Sequence, residues 1–158
     1  MHGKNMDHSE HGKMHYMHLG IMTVLSFISM YILMYSMVDR FENIYSSFNQ
    51  VYMAALMTAP MVFIEMLLMN MMYPDKKKNL LIILSSIVAG IAFFALIRFQ
   101  LGIGDKQFLR SMIPHHAGAI LMCKEASITD EEIKNLCNAI MQGQQREVDQ
   151  MKTILNRL

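Results

Sequence analysis

The chain has 158 residues, a formal net charge of +1 and 53% hydrophobic residues. A water-soluble domain of this length rarely holds so much apolar sequence, and the scattered lysines and arginines form no block that would attract nucleic acid. Composition therefore excludes nucleic acid as an expected partner and favours one or two small domains in contact with membrane lipid.

Methionine is the most unusual component, with 19 residues beside only two cysteines and no tryptophan. Methionine replaces leucine in apolar helices at little cost, so most of these side chains are expected to serve packing. Thioether, imidazole and thiolate groups also prefer soft ions such as Cu(I). Methionines that lie near histidines are therefore candidate metal ligands.

Residues 1–18 form a tail rich in histidine and methionine. From His8 to His18 the histidines are spaced three, four and three residues apart, which would place them on one side of a helix. This composition is typical of metal-binding tracts, although a short polar tail of this kind can also stay disordered. The sequence predicts a tail metal site formed by His8, His11, His15, His18, Met14 and Met17.

Three apolar stretches lie at residues 19–38, 48–73 and 80–99. Each supplies the roughly 20 residues that a helix needs to cross a membrane, and no small-residue cleavage pattern follows the first. We therefore expect a three-helix anchor over residues 19–100. The lysine-rich loop before the third stretch should be cytoplasmic by the positive-inside rule. The tail would then be cytoplasmic and the C-terminal segment extracytoplasmic, in a bacterial-type inner or plasma membrane.

The second apolar stretch carries an acidic residue inside a stripe of methionines. Glu65 lies eight residues before Tyr73, which is about 12 Å from the predicted helix end. An ionisable group at that depth is a functional candidate. The alternative is a carboxyl group that is neutral or paired within a packed bundle. The predicted intramembrane site consists of Glu65, Met57, Met61 and Met69.

Residues 101–158 have the character of two amphipathic helices. The first is predicted over residues 105–125, with a kink or restart at Pro114, and a turn follows near residues 126–128. A capping box beginning at Thr129 then starts the last helix. We expect an all-α fold in which these helices form an antiparallel hairpin. Half of a four-helix bundle has a small core, so a second copy of the chain is expected to complete it.

This hairpin concentrates soft metal ligands. The consecutive residues His115 and His116 are about 100° apart on a helix, so one should point into the hairpin and the other towards a partner chain. A hairpin symmetric about its turn would place His116 level with Met141. The spacing leaves open whether Cys123 and Cys137 are free, bridged or ligands. The predicted metal ligands are Met112, His115, His116, Met122, Cys123, Met141 and Met151, with Gln144 and Glu147 orienting an imidazole.

The residues from Phe108 to Ile120, which read FLRSMIPHHAGAI, together with Gln144, Glu147 and Met151, closely resemble the family catalogued as domain of unknown function 305. The resemblance implies a ferritin-like helical bundle and extracytoplasmic copper-binding relatives linked to copper or silver tolerance. The anchor and the His/Met tail look like a membrane-bound branch of that family. Longer members build a whole bundle where this chain has one hairpin, which again favours an oligomer.

The function expected from these features is that of a membrane-anchored protein that binds copper or silver for sequestration, tolerance or hand-over. Cu(I) is the preferred ion, and another transition metal is an alternative. A component of a metal-ion transport path and a membrane assembly factor without metal are further alternatives. A ferritin-like metal oxidase is the enzymatic alternative, but such bundles use Glu-x-x-His pairs and the hairpin has none.

Overall fold

The computed structural model describes the backbone of residues 3–158 and the side chains of residues 12–158. The side chains of His8 and His11, two ligands of the predicted tail site, lie outside this description. The described backbone is all-α, without a strand. Its α-helices are α1 (Gly3–Leu33), α2 (Phe48–Leu68), α3 (Lys76–Arg98), α4 (Asp105–Glu125) and α5 (Glu131–Arg157), with short 3-10 turns at Met34–Met37, Phe41–Asn43 and Asn70–Met72.

Three segments are long and apolar enough to cross a membrane, namely Gly12–Met37, Phe48–Leu68 and Lys76–Arg98. The first begins earlier than predicted, because α1 runs without a break from the tail into the apolar stretch. Histidine, methionine and lysine are compatible with a helix and no proline interrupts them, so the tail continues the same helix. His15 and His18 are therefore fixed on α1.

The second apolar segment is shorter than predicted, because α2 ends at Leu68 and a 3-10 turn leads to Tyr73 and Pro74. Proline cannot continue a helix, and α3 then starts after Asp75. The Asp75 carboxylate accepts hydrogen bonds from the backbone N–H groups of Lys77 and Lys78 at 3.0 and 3.1 Å. The prediction that Glu65 lies deep in a helix ending at residue 73 is thus wrong, since Glu65 is less than one turn from the end of α2.

Asp75 offers a test of this helix start. The backbone hydrogen bond from Lys78 is the main cause that holds the pKa of Asp75 below its ordinary value. The cap should therefore be intact above the ordinary carboxyl pKa and be lost as the pH falls through the lowered folded-state value. In Asp75→Ala we expect amide hydrogen exchange at Lys77 and Lys78 to be several-fold faster at neutral pH. Asp75→Asn should keep the protection of these two amides from exchange, and that protection should no longer be lost at low pH. An exchange rate in Asp75→Ala equal to that of the wild type would contradict the capping role.

The chain divides into two compact units. Unit 1 consists of Met1–Tyr31 and Tyr52–Phe99, and unit 2 consists of Ile32–Val51 and Gln100–Leu158. The buried centre of the described part of unit 1 is formed by Leu19, Met66 and Tyr73, against which Tyr16, Met22, Ile82 and Ile83 pack.

Unit 2 is built around the packing of α4 against α5. Its core contains Ile113 and Val148, both completely buried, together with Leu109 and Met151. The bounds of α4 match the prediction, and the helix continues through Pro114 without a restart. Asp130, rather than Thr129, caps α5 by accepting a hydrogen bond from the Ile133 N–H.

The connection between α1 and α2 covers α4 within unit 2. A Cβ atom added to Gly118 would lie 3.3 Å from the Met37 carbonyl oxygen, so glycine is what permits this close approach. Tyr45 packs against the α4–α5 core. At the start of α2, the Phe48 N–H donates to Oε1 of Gln107 at 2.9 Å. The helix pair is therefore supported by the chain itself, which the sequence pattern did not predict.

Candidate metal-binding sites

His116 is the most precisely held of the predicted ligands. Its Nδ1 atom lies 3.0 Å from the Met112 carbonyl oxygen, and its Nε2 atom lies 2.7 Å from Oε2 of Glu147. The side chain is only 12% exposed, whereas that of Glu147 is 56% exposed. The ring is thus fixed between α4 and α5 with its outer nitrogen at the edge of the pair.

These contacts determine what the ring can do chemically. A carbonyl oxygen can only accept, so Nδ1 carries a proton and Nε2 is the atom left for a ligand. Nε2 lies against the Glu147 carboxylate, and the Glu147 side chain is exposed. A metal ion at Nε2 would replace this contact, and Glu147 would then move aside or bind the same ion.

Met112 and Met151 lie in the same region as His116. Met151 belongs to the buried core of unit 2, and Met112 is half buried against that core. A disulfide joins Cys123 of α4 to Cys137 of α5 and so sets these two residues at the same level. His116 lies seven residues before Cys123, and Gln144 lies seven residues after Cys137. In this antiparallel pair His116 is therefore level with Gln144, which is half buried.

Met141 does not lie where the sequence placed it relative to His116. It lines a separate cavity of about 430 Å³ with Ile120, Gln145 and Arg146. A symmetric hairpin put Met141 level with His116, whereas the register set by the Cys123–Cys137 disulfide is shifted from it by about one turn. The guanidinium of Arg146 also disfavours a cation beside the Met141 sulfur.

His115 and Met122 face solvent. The rings of His115 and His116 are 5.9 Å apart, yet His115 is exposed. Met122 is 54% exposed. His115 therefore lies beside the His116 ring but on the solvent side of α4.

Cys123 is bonded to Cys137, with the two Cα atoms 5.2 Å apart. The bond joins the end of α4 to the beginning of α5 across a sequence separation of 14 residues. A disulfide sulfur is not a thiolate, so the oxidised protein does not offer Cys123 as the metal ligand that the sequence suggested. Of the states left open by the spacing, the structure has the bridged one.

A second group of candidate ligands meets in unit 1, where the sequence suggested two separate sites. Side chains from α1 and from the end of α2 line one cavity of about 200 Å³, which we call the His15–Glu65 cavity. Its lining residues are His15, His18, Leu19, Met22, Glu65, Met72 and Tyr73.

Hydrogen bonds fix the wall of this cavity. Buried Asn79 donates to the Tyr73 carbonyl and to Oδ1 of Asn70, both at 3.0 Å, and accepts from the Tyr16 hydroxyl at 2.6 Å. Burial is the largest cause that raises the pKa of Tyr73, followed by the charge of Glu65 and a hydrogen bond to it. The Glu65 carboxyl group therefore lies close to the Tyr73 hydroxyl.

The methionines that were predicted as ligands of the tail site and of the intramembrane site do not line this cavity. Met57 and Met69 of the intramembrane stripe are exposed, and Met61 is half buried elsewhere on α2. Met14 and Met17 of the tail are exposed. His15 and His18 line this cavity from α1, and the helical spacing did not indicate that Glu65 lines it as well.

Among the side chains that the structure describes, no three His, Cys, Asp or Glu residues are grouped tightly enough to form a ready metal site. Sites in this part of the chain must therefore include methionine sulfur or require side-chain movement.

A larger cavity of about 520 Å³ lies among the apolar helices of unit 1. The hydroxyls of Thr58 and Ser86 on its wall donate to carbonyl oxygens of their own helices at 2.8 Å. The hydroxyls of Thr23 and Ser85 likewise donate to carbonyl oxygens of their own helices, and the rest of the lining is apolar.

Sequence reasoning missed Tyr16, Asn79 and Tyr73, which shape the His15–Glu65 cavity. The available signal was a polar residue, Asn79, at the start of the third apolar stretch. Tyr16 precedes the first apolar stretch, and Tyr73 ends the second. This signal was weak because none of these residues is itself a strong metal ligand.

The family model described as "Domain of unknown function (DUF305)" matches residues 95–155, which include α4 and most of α5. A curated relative, "Uncharacterized protein L153" of Acanthamoeba polyphaga mimivirus, is 34% identical over 139 residues, covering 86% of this chain and 90% of the relative. The comparison with solved structures gave no significant match. The likeness to the relative thus extends over the apolar helices as well as the matched domain. The chain belongs to the family of the Domain of unknown function (DUF305).

Proposed function

We propose that the protein is a membrane-anchored binder of Cu(I) or Ag(I), which it sequesters or hands over through a site on α4 and α5. The observation that carries this proposal is the geometry of His116. A backbone carbonyl holds Nδ1–H, so that Nε2 is presented as a ligand atom at a partly exposed edge. Metal-binding histidines are commonly oriented in this way by a hydrogen bond to their second nitrogen.

The neighbouring groups suit a soft ion. Met112 supplies both the carbonyl that orients the ring and a half-buried thioether, and Met151 supplies a second thioether from α5. A donor set of imidazole and thioether prefers Cu(I) or Ag(I) to Mg²⁺ or Ca²⁺. The Glu147 carboxylate adds negative charge beside Nε2, which favours binding of a cation.

Membrane location and sidedness belong to the same proposal. Three segments of spanning length would place the two ends of the chain on opposite sides of a membrane. Disulfides persist in oxidising compartments, so the Cys123–Cys137 bond supports an extracytoplasmic position for α4 and α5. The lysines at Lys76–Lys78 support a cytoplasmic position for the loop before α3.

We also propose that the functional form is a homo-oligomer. Ile133 and Leu136 on α5, and Met122 on α4, leave apolar surface exposed around the disulfide end of the pair. A second copy that covers this surface would complete a four-helix, ferritin-like bundle.

The test is a titration of the full-length protein in detergent with Cu(I), without oxygen and against a chromophoric chelator. We expect His116→Ala to weaken binding at this site at least about tenfold. Met112→Leu, which keeps the packing volume, should also weaken it, whereas Met71→Leu, at a fully exposed position, should have no effect. His115→Ala is the matched imidazole control and should matter less than His116→Ala.

Two results would overturn the proposal. One is equal Cu(I) affinity in the wild-type protein and His116→Ala. The other is a loss of affinity in His115→Ala that exceeds the loss in His116→Ala, because the exposed ring would then be the principal ligand.

A further inference from the structure

We infer that the His15–Glu65 cavity is a second binding site for a soft monovalent metal ion, built from His15, His18 and Met22 of α1 together with Glu65 and Met72. This site belongs to unit 1 and does not rest on the proposed site of α4 and α5.

One wall of the cavity is a single face of α1. His15, His18 and Met22 are spaced three and four residues apart, so their side chains line one side of the helix in successive turns. The two imidazoles and the thioether therefore face the same space. Leu19, buried between them, fixes this face against the rest of unit 1.

The opposite wall comes from the end of α2 and the turn after it. Glu65 lies in the last turn of α2, and the 3-10 turn Asn70–Met72 brings Met72 back beside it. Asn79 of α3 holds the Tyr73 carbonyl and Tyr16 of α1 by hydrogen bonds, which ties this turn to α1. The two walls are thus positioned by buried polar contacts rather than by chance proximity.

Charge explains why a cation should occupy the space. A carboxylate at the end of an apolar helix is costly unless it is paired, and Glu65 lines this cavity together with the two histidines and Tyr73. Lys78 is engaged elsewhere, with Asp75 at 3.6 Å and over the ring of Tyr16 at 5.6 Å. A monovalent ion bound by two neutral imidazoles and thioethers would balance the carboxylate charge.

The size and the donor set point to the class of ion. The cavity has a volume of about 200 Å³. One water molecule occupies about 30 Å³ in the liquid, so the cavity is larger than several waters. The side chains therefore have room to change rotamer and close on an ion. Sulfur together with imidazole favours Cu(I) or Ag(I), whereas a site using only the imidazoles and the carboxylate would favour Zn²⁺.

The test uses the full-length protein in detergent in the His116→Ala background, so that the site on α4 is silenced. Ag(I) is added to protein with ¹³C-labelled methionine methyl groups. We expect the Met22 and Met72 signals to shift, while the signal of the adjacent, fully exposed Met71 stays in place. Chelator competition should show an affinity at least about tenfold weaker in His15→Ala/His18→Ala.

Conservative variants distinguish Ag(I) bound in this cavity from Ag(I) bound elsewhere on the protein. Met72→Leu and Glu65→Gln should each weaken Ag(I) binding, and Met71→Leu should not. A His8→Ala/His11→Ala variant should keep the Met22 and Met72 shifts. The inference is overturned if those shifts are missing, if they persist in His15→Ala/His18→Ala, or if Zn²⁺ binds more tightly than Ag(I). Failure of binding at His116 would leave these outcomes unchanged, because every measurement is made without that side chain.

Discussion

Removing the Cys123–Cys137 disulfide is expected to lower the free energy of unfolding of the α4–α5 pair by about 3 kcal/mol. The bond closes a loop with a sequence separation of 14 residues and restricts the unfolded chain accordingly. The pair has a small core centred on Ile113 and Val148, so a loss of this size is a large part of its stability. We expect the double variant Cys123→Ser/Cys137→Ser to unfold at a clearly lower temperature than the wild type.

Thermal unfolding followed by circular dichroism in detergent measures this effect. The matched control is the wild-type protein in reducing agent, which should unfold at the same temperature as the double variant. Equal unfolding temperatures for the oxidised wild type and the variant would contradict a stabilising disulfide. The oxidised and reduced forms should also differ in Cu(I) stoichiometry, because only the reduced form offers thiolates.

The second large effect is expected at Asn79, which is only 3% exposed. Replacing it by leucine keeps the volume but removes the donors to Tyr73 and Asn70 and the acceptor of the Tyr16 hydroxyl. Tyr16 can turn to the Asp75 carbonyl at 3.2 Å, so the main loss is the unpaired Tyr73 carbonyl. We expect a cost of about 1–3 kcal/mol for Asn79→Leu.

Ser85→Ala provides the comparison on the same helix, because the exposed Ser85 hydroxyl donates to the Ile82 carbonyl of its own helix. Its effect on the free energy of unfolding should stay within about 0.5 kcal/mol. Unfolding in detergent measures both variants. An Asn79→Leu protein as stable as Ser85→Ala would mean that the turn around Tyr73 is held by apolar packing instead. In that case Ag(I) binding in the His15–Glu65 cavity should also be unaffected by the substitution.

Much of the helix pattern could be predicted from the sequence, because local signals determine it. The bounds of α4 follow from the break at residues 100–104, where Gln100 and Gly102 adopt positive φ angles, and from its amphipathic spacing. The end of α2 was missed. Methionines at residues 69, 71 and 72 extend the apolar pattern beyond Leu68, and only Pro74 shows that the helix has to stop.

The candidate sites were predictable as sets of residue types but not as sets of neighbours. His116 and Glu147 were both identified from the sequence, yet their direct contact depends on a register that the disulfide and the core packing set. The same register separates Met141 from His116. The periodicity of one helix cannot specify how far it slides along another, because every shift of about one turn restores the same faces.

Apart from the start of α1 and the end of α2, the sequence by itself determined which segments are helical, and it also identified the three that are apolar enough to cross a membrane. These properties depend on residues a few positions apart along one helix. Tertiary structure alone decided that Cys123 is bridged, that Met37 covers Gly118, and that Glu65 lies across a cavity from His15. Each of these pairings joins residues far apart in the chain, and it follows from the packing of whole helices and connections rather than from any local pattern.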